Sequence, residues 1–297
     1  MENKIDLQRM QKEVKRRNRK QTLKIFFGRG IIVKLCFAVL ILFIILSLLL
    51  PLVLTIDPNK QELTNKLLLP SAEHIFGTDY LGRDVFVRIV YGGRVSLAVS
   101  LLAGCFSAVV GITLGLIAGY FGGYLGKIIM AFTDIILSIP GLVFTLILAA
   151  IIGRNVMSMT LAIGLGMFPT YIRMANGLIL SLRENDYIVA SKLVGQKEKR
   201  ILFNHLLPNT FPSLIVLFTI NLGNAIMTEA TLSYLGVGIN PPTATWGNMV
   251  ADAYSYLYLA PRLAIIPGIC IIILIISFNV VGDGLRDALD PRLRGKL

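Results

Sequence analysis

Histidine and cysteine, the side chains that most often act in catalysis or hold metal ions, are scarce in this sequence of 297 residues. The two histidines, His74 and His205, do not have metal-ligand spacing with each other or with a cysteine. Cys36, Cys105 and Cys270 all lie inside apolar runs, which fits neither a disulfide framework nor a paired-cysteine metal site. We therefore predict no catalytic residue and no metal site.

The sequence also lacks a phosphate-binding loop. ATP hydrolysis by such a loop requires two glycines spaced by four residues, then lysine and serine or threonine. Gly126 and Lys127 are followed by Ile128, and Phe121 occupies the position of the first glycine. We predict that the chain binds no cofactor itself.

Four polar residues interrupt an apolar stretch near residue 225. Asn221, Asn224 and Thr228 are spaced by three and four residues, so on a helix they would share one face, with Glu229 beside it. These residues are candidates for the lining of a polar pathway. Hydrogen bonding between helices is an equally good interpretation.

Two further charged residues, Asp134 and Arg173, also fall within apolar stretches. A charge in the hydrocarbon core is expensive unless it is paired. We expect Asp134 to pair with another helix rather than contact a substrate. Arg173 is expected near the cytoplasmic interface, where it could reach the lipid headgroups.

Composition places all of these residues in a membrane protein. Hydrophobic residues make up 55% of the chain and charged residues only 15%, which leaves too little polar material to cover a soluble core. A helix crosses the hydrocarbon layer with about 20 residues. Six apolar stretches of sufficient length predict an all-α, polytopic protein with spans at about 35–56, 95–126, 127–153, 155–182, 211–235 and 263–282.

The positive charge follows membrane topology. The formal net charge is +12, and residues 1–30 contain ten Lys and Arg residues against three acidic ones. A nucleic-acid-binding arm would look similar, but this segment adjoins a long apolar run, which favours retention in the cytoplasm. The basic loop 183–205 and the basic tail 286–297 are assigned to the same side, so both termini are expected in the cytoplasm.

These features divide the chain into five parts. They are a basic cytoplasmic segment (1–30), a first transmembrane helix (31–56), an external segment (57–93), a five-helix core (94–285) that includes the cytoplasmic loop 183–205, and a cytoplasmic tail (286–297). Within the external segment, Asp84 and Arg88 are four residues apart among apolar side chains. This spacing predicts an interfacial helix over 82–91.

The cytoplasmic loop has its own pattern. Small residues, Ala190 and Ser191, precede Gly195 by five and four positions, and a charged turn then leads to Leu207 and Pro208. This order predicts a short helix, a flexible corner and re-entry into the membrane at a proline.

At these residues the chain resembles the ABC importer permeases, whose cytoplasmic loop has the order Glu-Ala-Ala, three residues, Gly, and later Leu-Pro. Ala190, Gly195, Leu207 and Pro208 match that order, whereas Val189 and Ser191 depart from it. The resemblance implies that residues 187–194 form a coupling helix that docks on a cytoplasmic ATPase. Its candidate contacts are Ala190, Ser191, Leu193, Val194, Gly195, Leu207 and Pro208.

Four further passages resemble the second permease subunit of the dipeptide, oligopeptide and nickel subfamily. They are His74–Arg88, Glu229–Gly238, Pro241–Asn248 and Gly282–Arg294, in that order. The resemblance covers roughly residues 30–297. It implies a type I ABC importer permease fold and a non-enzymatic role in importing dipeptides or oligopeptides across a bacterial plasma membrane.

The same resemblance implies several partners. They are a second homologous permease, two cytoplasmic ATPase subunits that bind ATP and Mg²⁺, an external or periplasmic substrate-binding protein, and membrane lipid, with no nucleic acid. Import of nickel or a metal chelate stays open as the alternative within the subfamily. A secondary transporter built around a midplane ion site is the alternative from another class.

Overall fold

The computed structural model describes residues 21–53 and 56–289, and within these ranges the chain is almost entirely helical. Residues 1–20 of the predicted basic segment and residues 290–297 of the predicted tail lie outside the described residues. We label the main helices α1 (Ile31–Val53), α2 (Val85–Phe121), α3 (Gly123–Leu137), α4 (Gly141–Ile152), α5 (Val156–Leu182), α6 (Asp186–Leu193), α7 (Leu207–Tyr234), α8 (Trp246–Ala253) and α9 (Arg262–Leu289). The predicted all-α class is confirmed.

Fewer than the predicted six spans are recognisable by length and hydropathy alone among the described residues. Four described helical stretches are long and apolar enough to cross a membrane: Ile31–Val53, Val85–Phe121, Glu198–Tyr234 and Arg262–Leu289. Helices α3 and α4 meet at a bend of 89° and add a fifth if they form one broken span. Helix α5 has the length, with 27 residues, but Pro169, Arg173 and Asn176 lower its hydropathy. By length and composition the described residues therefore contain four or five candidate spans, and the predicted number of six is not exact.

Local sequence sets where several helices begin and end. The carboxylate of Asp84 accepts a hydrogen bond from the Val87 amide at 2.9 Å and so caps the start of α2. Asn155 caps α5 in the same way, accepting from the Ser158 amide at 2.8 Å. Between α2 and α3 the chain reverses at Gly122, whose φ of +60° is a conformation that favours glycine. Pro140 then separates α3 from α4.

Helices α2 and α5 make the most extensive helix pair of the fold. Their backbones approach so closely that a Cβ atom added at Gly111 would lie 2.5 Å from the carbonyl oxygen of Phe168. A Cβ atom at Gly115 would lie 2.6 Å from the carbonyl oxygen of Ile172. Small residues four apart permit this approach, as in many membrane helix pairs.

Helix α8 packs across the outer part of the bundle through Trp246, which is 1% exposed. The indole nitrogen donates a hydrogen bond to the carbonyl oxygen of Ile89 at 2.9 Å. The ring lies against Gly93, where an added Cβ atom would be 2.8 Å from the indole. The tryptophan thus ties α8 to α2 through packing and a satisfied polar group.

The structure shows no separate helix over 82–91, and the interfacial position of these residues stays a prediction. Residues from Val85 onward are the first turns of α2. The carboxylate of Asp84 binds two other groups. It accepts the hydrogen bond from the Val87 amide that caps α2, and Nδ1 of His74 lies 2.7 Å from it. Arg88 is directed instead toward Asp79, with 3.8 Å between its Nε and the carboxylate. Helical spacing alone could not reveal that both side chains have nearer partners in the folded segment 57–84.

Asp79 is the centre of a buried ionic network in that segment. Its carboxylate lies 2.6 Å from Nε of Arg83 and also accepts the Arg83 backbone amide at 2.9 Å. Arg83 reaches Asp252 of α8 at 3.6 Å. Burial raises the pKa of Asp252, an effect that the guanidinium groups of Arg83 and Arg88 oppose. The network joins the segment 57–84 to α2 and α8.

Candidate functional site

The predicted coupling region contains a short helix, α6, with one buried residue that packs against the bundle. Ile188 is completely buried in a cluster that includes Leu116 of α2 and Ile179 of α5. Asp186 lies in the first turn and Lys192 in the last, which suits the helix dipole. A single buried anchor and a favourable charge order allow eight residues to form a helix outside the main bundle.

The other side of α6 is uncovered. Leu193 is 83% and Val194 86% exposed, and Val189 is also exposed. Ala190 and Gly195 are exposed beside them. Adjacent exposed apolar side chains next to small residues are typical of a surface that another protein covers. The structure thus brings four of the predicted contacts together: Ala190, Leu193, Val194 and Gly195.

The remaining three predicted contacts have different surroundings. The Ser191 hydroxyl donates to the carbonyl oxygen of Tyr187 at 2.7 Å, so it is satisfied within α6. Leu207 is half-buried and Pro208 is exposed, and both lie in the first turn of α7, beyond the corner. Residues Leu202–Leu206 form a π-helical segment that leads into that turn.

The corner after α6 is built around Gly195, which has a φ of +72° and no atom within 4 Å of an added Cβ. Next to it, Gln196 Oε1 lies 3.0 Å from His205 Nε2. The ammonium group of Lys192 lies over the ring of Tyr120, 5.1 Å from its centroid. Sequence reasoning missed Tyr120 and Gln196, because no periodic pattern connects either residue to the loop.

The four polar candidates on α7 do not share one exposed face. Asn224 is exposed and Thr228 half-buried, whereas Asn221 is buried. Glu229 is 1% exposed. Its carboxylate accepts hydrogen bonds from the hydroxyls of Ser96 at 3.2 Å and Ser233 at 3.0 Å. Glu229 therefore lies inside this chain, between α2 and α7, where side-chain hydroxyls compensate for its burial.

Asp134 and Arg173 form an ion pair between α3 and α5, with 2.5 Å between their nearest atoms. Pairing of Asp134 across helices agrees with the sequence expectation. Arg173 was expected to reach the headgroups but is directed to the carboxylate instead. Elsewhere in residues 21–53 and 56–289, no three His, Cys, Asp or Glu side chains come together in a way that could hold a metal ion.

Comparison with known proteins identifies what this helical arrangement is. A family model described as "Binding-protein-dependent transport system inner membrane component" matches residues 111–295, which include α6, the corner and α7. The chain belongs to this family. It is a multi-pass membrane permease subunit, and its relatives are transport proteins rather than enzymes.

Several relatives match most of the permease. The dipeptide transport system permease protein DppC of Alkalihalophilus pseudofirmus is 39% identical over 252 residues, covering 85% of this chain and 83% of the relative. The probable D,D-dipeptide transport system permease protein DdpC of Escherichia coli strain K12 is 39% identical over 258 residues, 87% of each chain. The glutathione transport system permease protein GsiD of Escherichia coli is 37% identical over 226 residues, 76% of this chain and 75% of the relative.

The fold of the permease also matches a solved structure. A chain of the MetNI methionine ABC transporter, in an inward-facing conformation, aligns with a TM-score of 0.59 and 21% identity. The alignment covers 69% of this chain and 97% of that one. The expected ABC importer permease fold is therefore confirmed.

Proposed function

We propose that this permease forms half of the membrane pathway of an ATP-driven importer of dipeptides or short oligopeptides. The observation that carries the proposal is 39% identity to a dipeptide permease over 85% of the chain. The D,D-dipeptide and glutathione permeases support the same substrate class, since glutathione is itself a short peptide. These relatives favour peptides over nickel or a metal chelate.

The working assembly would contain a second homologous permease, two cytoplasmic ATPase subunits that bind ATP and Mg²⁺, and an external substrate-binding protein. We place it in the plasma membrane of a bacterium with both termini in the cytoplasm. The ten basic residues within 1–30 and the basic loop 183–205 support that orientation.

Helix α6 would couple the ATPase to the pathway. Its apolar end, Leu193 and Val194, would insert into a groove of the ATPase, and closure of the ATPase would then move α6. Ile188 of α6 would transmit this movement to α2 and α5, because its side chain is buried against residues of both helices. Of the four polar candidates on α7, Asn224 and Thr228 are the two that are not buried, so these would line the pathway.

Uptake by a reconstituted transporter tests the substrate class and the energy source. Vesicles that contain the permease with its natural partners should accumulate a radiolabelled dipeptide with ATP and fail to do so with ADP. Excess unlabelled dipeptide should compete, and nickel ions should not. Accumulation without nucleotide, or competition by nickel alone, would overturn the proposal.

Two substitutions at Gly195 test the coupling corner. Both side chains have room in this chain, so the difference between them isolates backbone conformation. Asparagine tolerates a positive φ, whereas a β-branched residue does not. Gly195→Asn should keep most of the uptake and Gly195→Val should reduce it at least about tenfold, with equal permease levels in the membrane. Equal uptake by the two variants would exclude this role for the corner.

A further inference from the structure

The Asp134–Arg173 pair is unusual because it joins two helices of an apolar bundle and is nevertheless open. Each side chain is 57% exposed in this chain, although the two are in direct contact. Arg173 lies only four residues beyond the middle of α5, or about 6 Å at 1.5 Å per residue. With α5 centred on a hydrocarbon layer of about 30 Å, this position lies inside the layer rather than at its cytoplasmic interface, where the sequence led us to expect it.

The depth of Asp134 agrees with this estimate. The end of α5 and the turn before α3 are neighbours, because Arg183 donates a hydrogen bond to the carbonyl oxygen of Gly119 at 3.0 Å. Arg173 is nine residues from the end of α5, about 14 Å, and Asp134 is eleven residues from the start of α3, about 16 Å. Both helices thus bring their charges to the same level. The contact between Asp134 and Arg173 therefore follows from the way α3 and α5 pack.

Lipid is a poor neighbour for such a pair, since ionised groups in transmembrane segments face protein or water. An open cavity of about 450 Å³ lies beside Arg173. Thr170, Met174 and Gly177 line it from α5, and Leu217 lines it from α7. On α5 these residues follow helical spacing and are all exposed, so they form one side of the helix.

The residue that lines the cavity from α7 lies on the same side of that helix as one candidate pathway residue. Asn224 is exposed and lies seven residues, or two helical turns, beyond Leu217, which places both on the same side of α7. The α5 side that carries Arg173 and the α7 side that carries Asn224 both border or flank this cavity, whose lining also includes Leu137 and Leu178. An exposed charged pair and an exposed amide on these helix sides fit an aqueous channel, since ionised groups in transmembrane segments face protein or water.

We infer that the Asp134–Arg173 pair lies on the wall of the translocation pathway and offers opposite charges to the charged groups of a passing peptide. The inference rests on the proposed peptide import. A free peptide carries an ammonium group and a carboxylate, and a wall with one carboxylate and one guanidinium can compensate for both as water is removed. Because the two wall charges also neutralise each other, neither holds the cargo tightly.

Charge selectivity tests the inference. Arg173→Gln leaves the Asp134 carboxylate alone, so uptake of a lysine-containing dipeptide should rise relative to a glutamate-containing one. Asp134→Asn leaves the guanidinium and should shift the ratio in the opposite direction. Each shift should be at least about fivefold, the effect of a unit charge at 4 Å even in bulk water. A purely structural pair would lower the uptake of both peptides equally, and that result would overturn the inference.

Water access gives a second measurement that does not depend on transport. In a background without Cys36, Cys105 and Cys270, a cysteine at Thr170 should react with a membrane-impermeant thiol reagent in the assembled transporter. A cysteine at the buried Ala175 of the same helix should not react. Labelling of the Thr170→Cys site only in the isolated permease would assign the surface to a subunit contact, and no labelling in either state would assign it to lipid.

Two controls separate the possible failures. The charge-swapped variant, Asp134→Arg with Arg173→Asp, restores an ion pair and should recover folding, judged by a monodisperse peak in size-exclusion chromatography. If wild-type vesicles import no peptide, the proposed function fails. If they import both peptides and neither single variant shifts the ratio, the inference about the wall fails while the proposed function stands.

Discussion

Replacing Gly115 by alanine should loosen the contact between α2 and α5. The new methyl group would lie 2.6 Å from the carbonyl oxygen of Ile172 and 2.7 Å from the Cβ atom of Ala175. Gly111→Ala would meet the backbone of Phe168 at 2.5 Å. Because backbone atoms rather than flexible side-chain ends are in the way, one helix must shift as a unit.

The magnitude follows from two opposing effects. Overpacking a tight interface costs about 1–3 kcal/mol, and the absence of a flexible neighbour places these sites in the upper part of that range. Alanine in place of glycine inside a helix returns up to about 1 kcal/mol. The net loss should be about 1–2 kcal/mol for each substitution, or roughly 2–8 °C in Tm for a chain of this size.

Gly268→Ala is the matched control. Gly268 also lies inside a long helix, α9, but no atom is within 4 Å of an added Cβ. Only the helix propensity changes there, so the Tm should stay the same or rise. The intrinsic fluorescence of Trp246, the single tryptophan of the chain, provides the melting signal because its ring is buried. If Gly115→Ala melts at or above the temperature of Gly268→Ala, backbone contact does not limit the approach of the two helices.

Two predictions concern carboxylates whose partners are now defined. Asp79→Asn should lower the free energy of unfolding by about 3–5 kcal/mol, since Arg83 and Arg88 remain buried without their nearest opposite charge. Asp252→Asn should lower it less, because the Asp252 side chain is 35% exposed and lies 3.6 Å from Arg83. Thermal melting ranks the two variants, and the reverse order would contradict the network described here. Glu229→Gln should keep both Tm and dipeptide uptake, because an amide can still bond the two neighbouring hydroxyls; lost uptake at an unchanged Tm would mean that the carboxylate contacts cargo.

Patterns in the sequence predicted the features that depend on local order. Apolar runs indicated the helices, and the spacing from Ala190 to Gly195 located a short exposed helix and its corner. These features could be predicted because hydropathy and backbone preference act along the chain. The contact role of that helix remains a prediction that the uptake experiments test.

The same reasoning failed where side chains had a choice of partners. Asp84 and Arg88 have the spacing of a helical ion pair, but capping and His74 occupy Asp84 while Arg88 is directed toward Asp79. Glu229 falls beside a polar face by periodicity, yet the hydroxyl of Ser96, 133 residues away in the chain, holds it inside the protein. Competition between such contacts depends on distances in space that periodicity does not contain.

Hydropathy and charge order along the chain are sufficient to indicate an all-α membrane protein with a small helix in a basic loop, because each of these properties resides in a continuous segment. Which charges are enclosed and which are exposed depends instead on how the helices pack. Glu229 is buried among hydroxyls, whereas Asp134 and Arg173 meet across α3 and α5 and remain exposed. The physical reason is that the free energy of a charge in a membrane depends on the neighbours that packing brings to it.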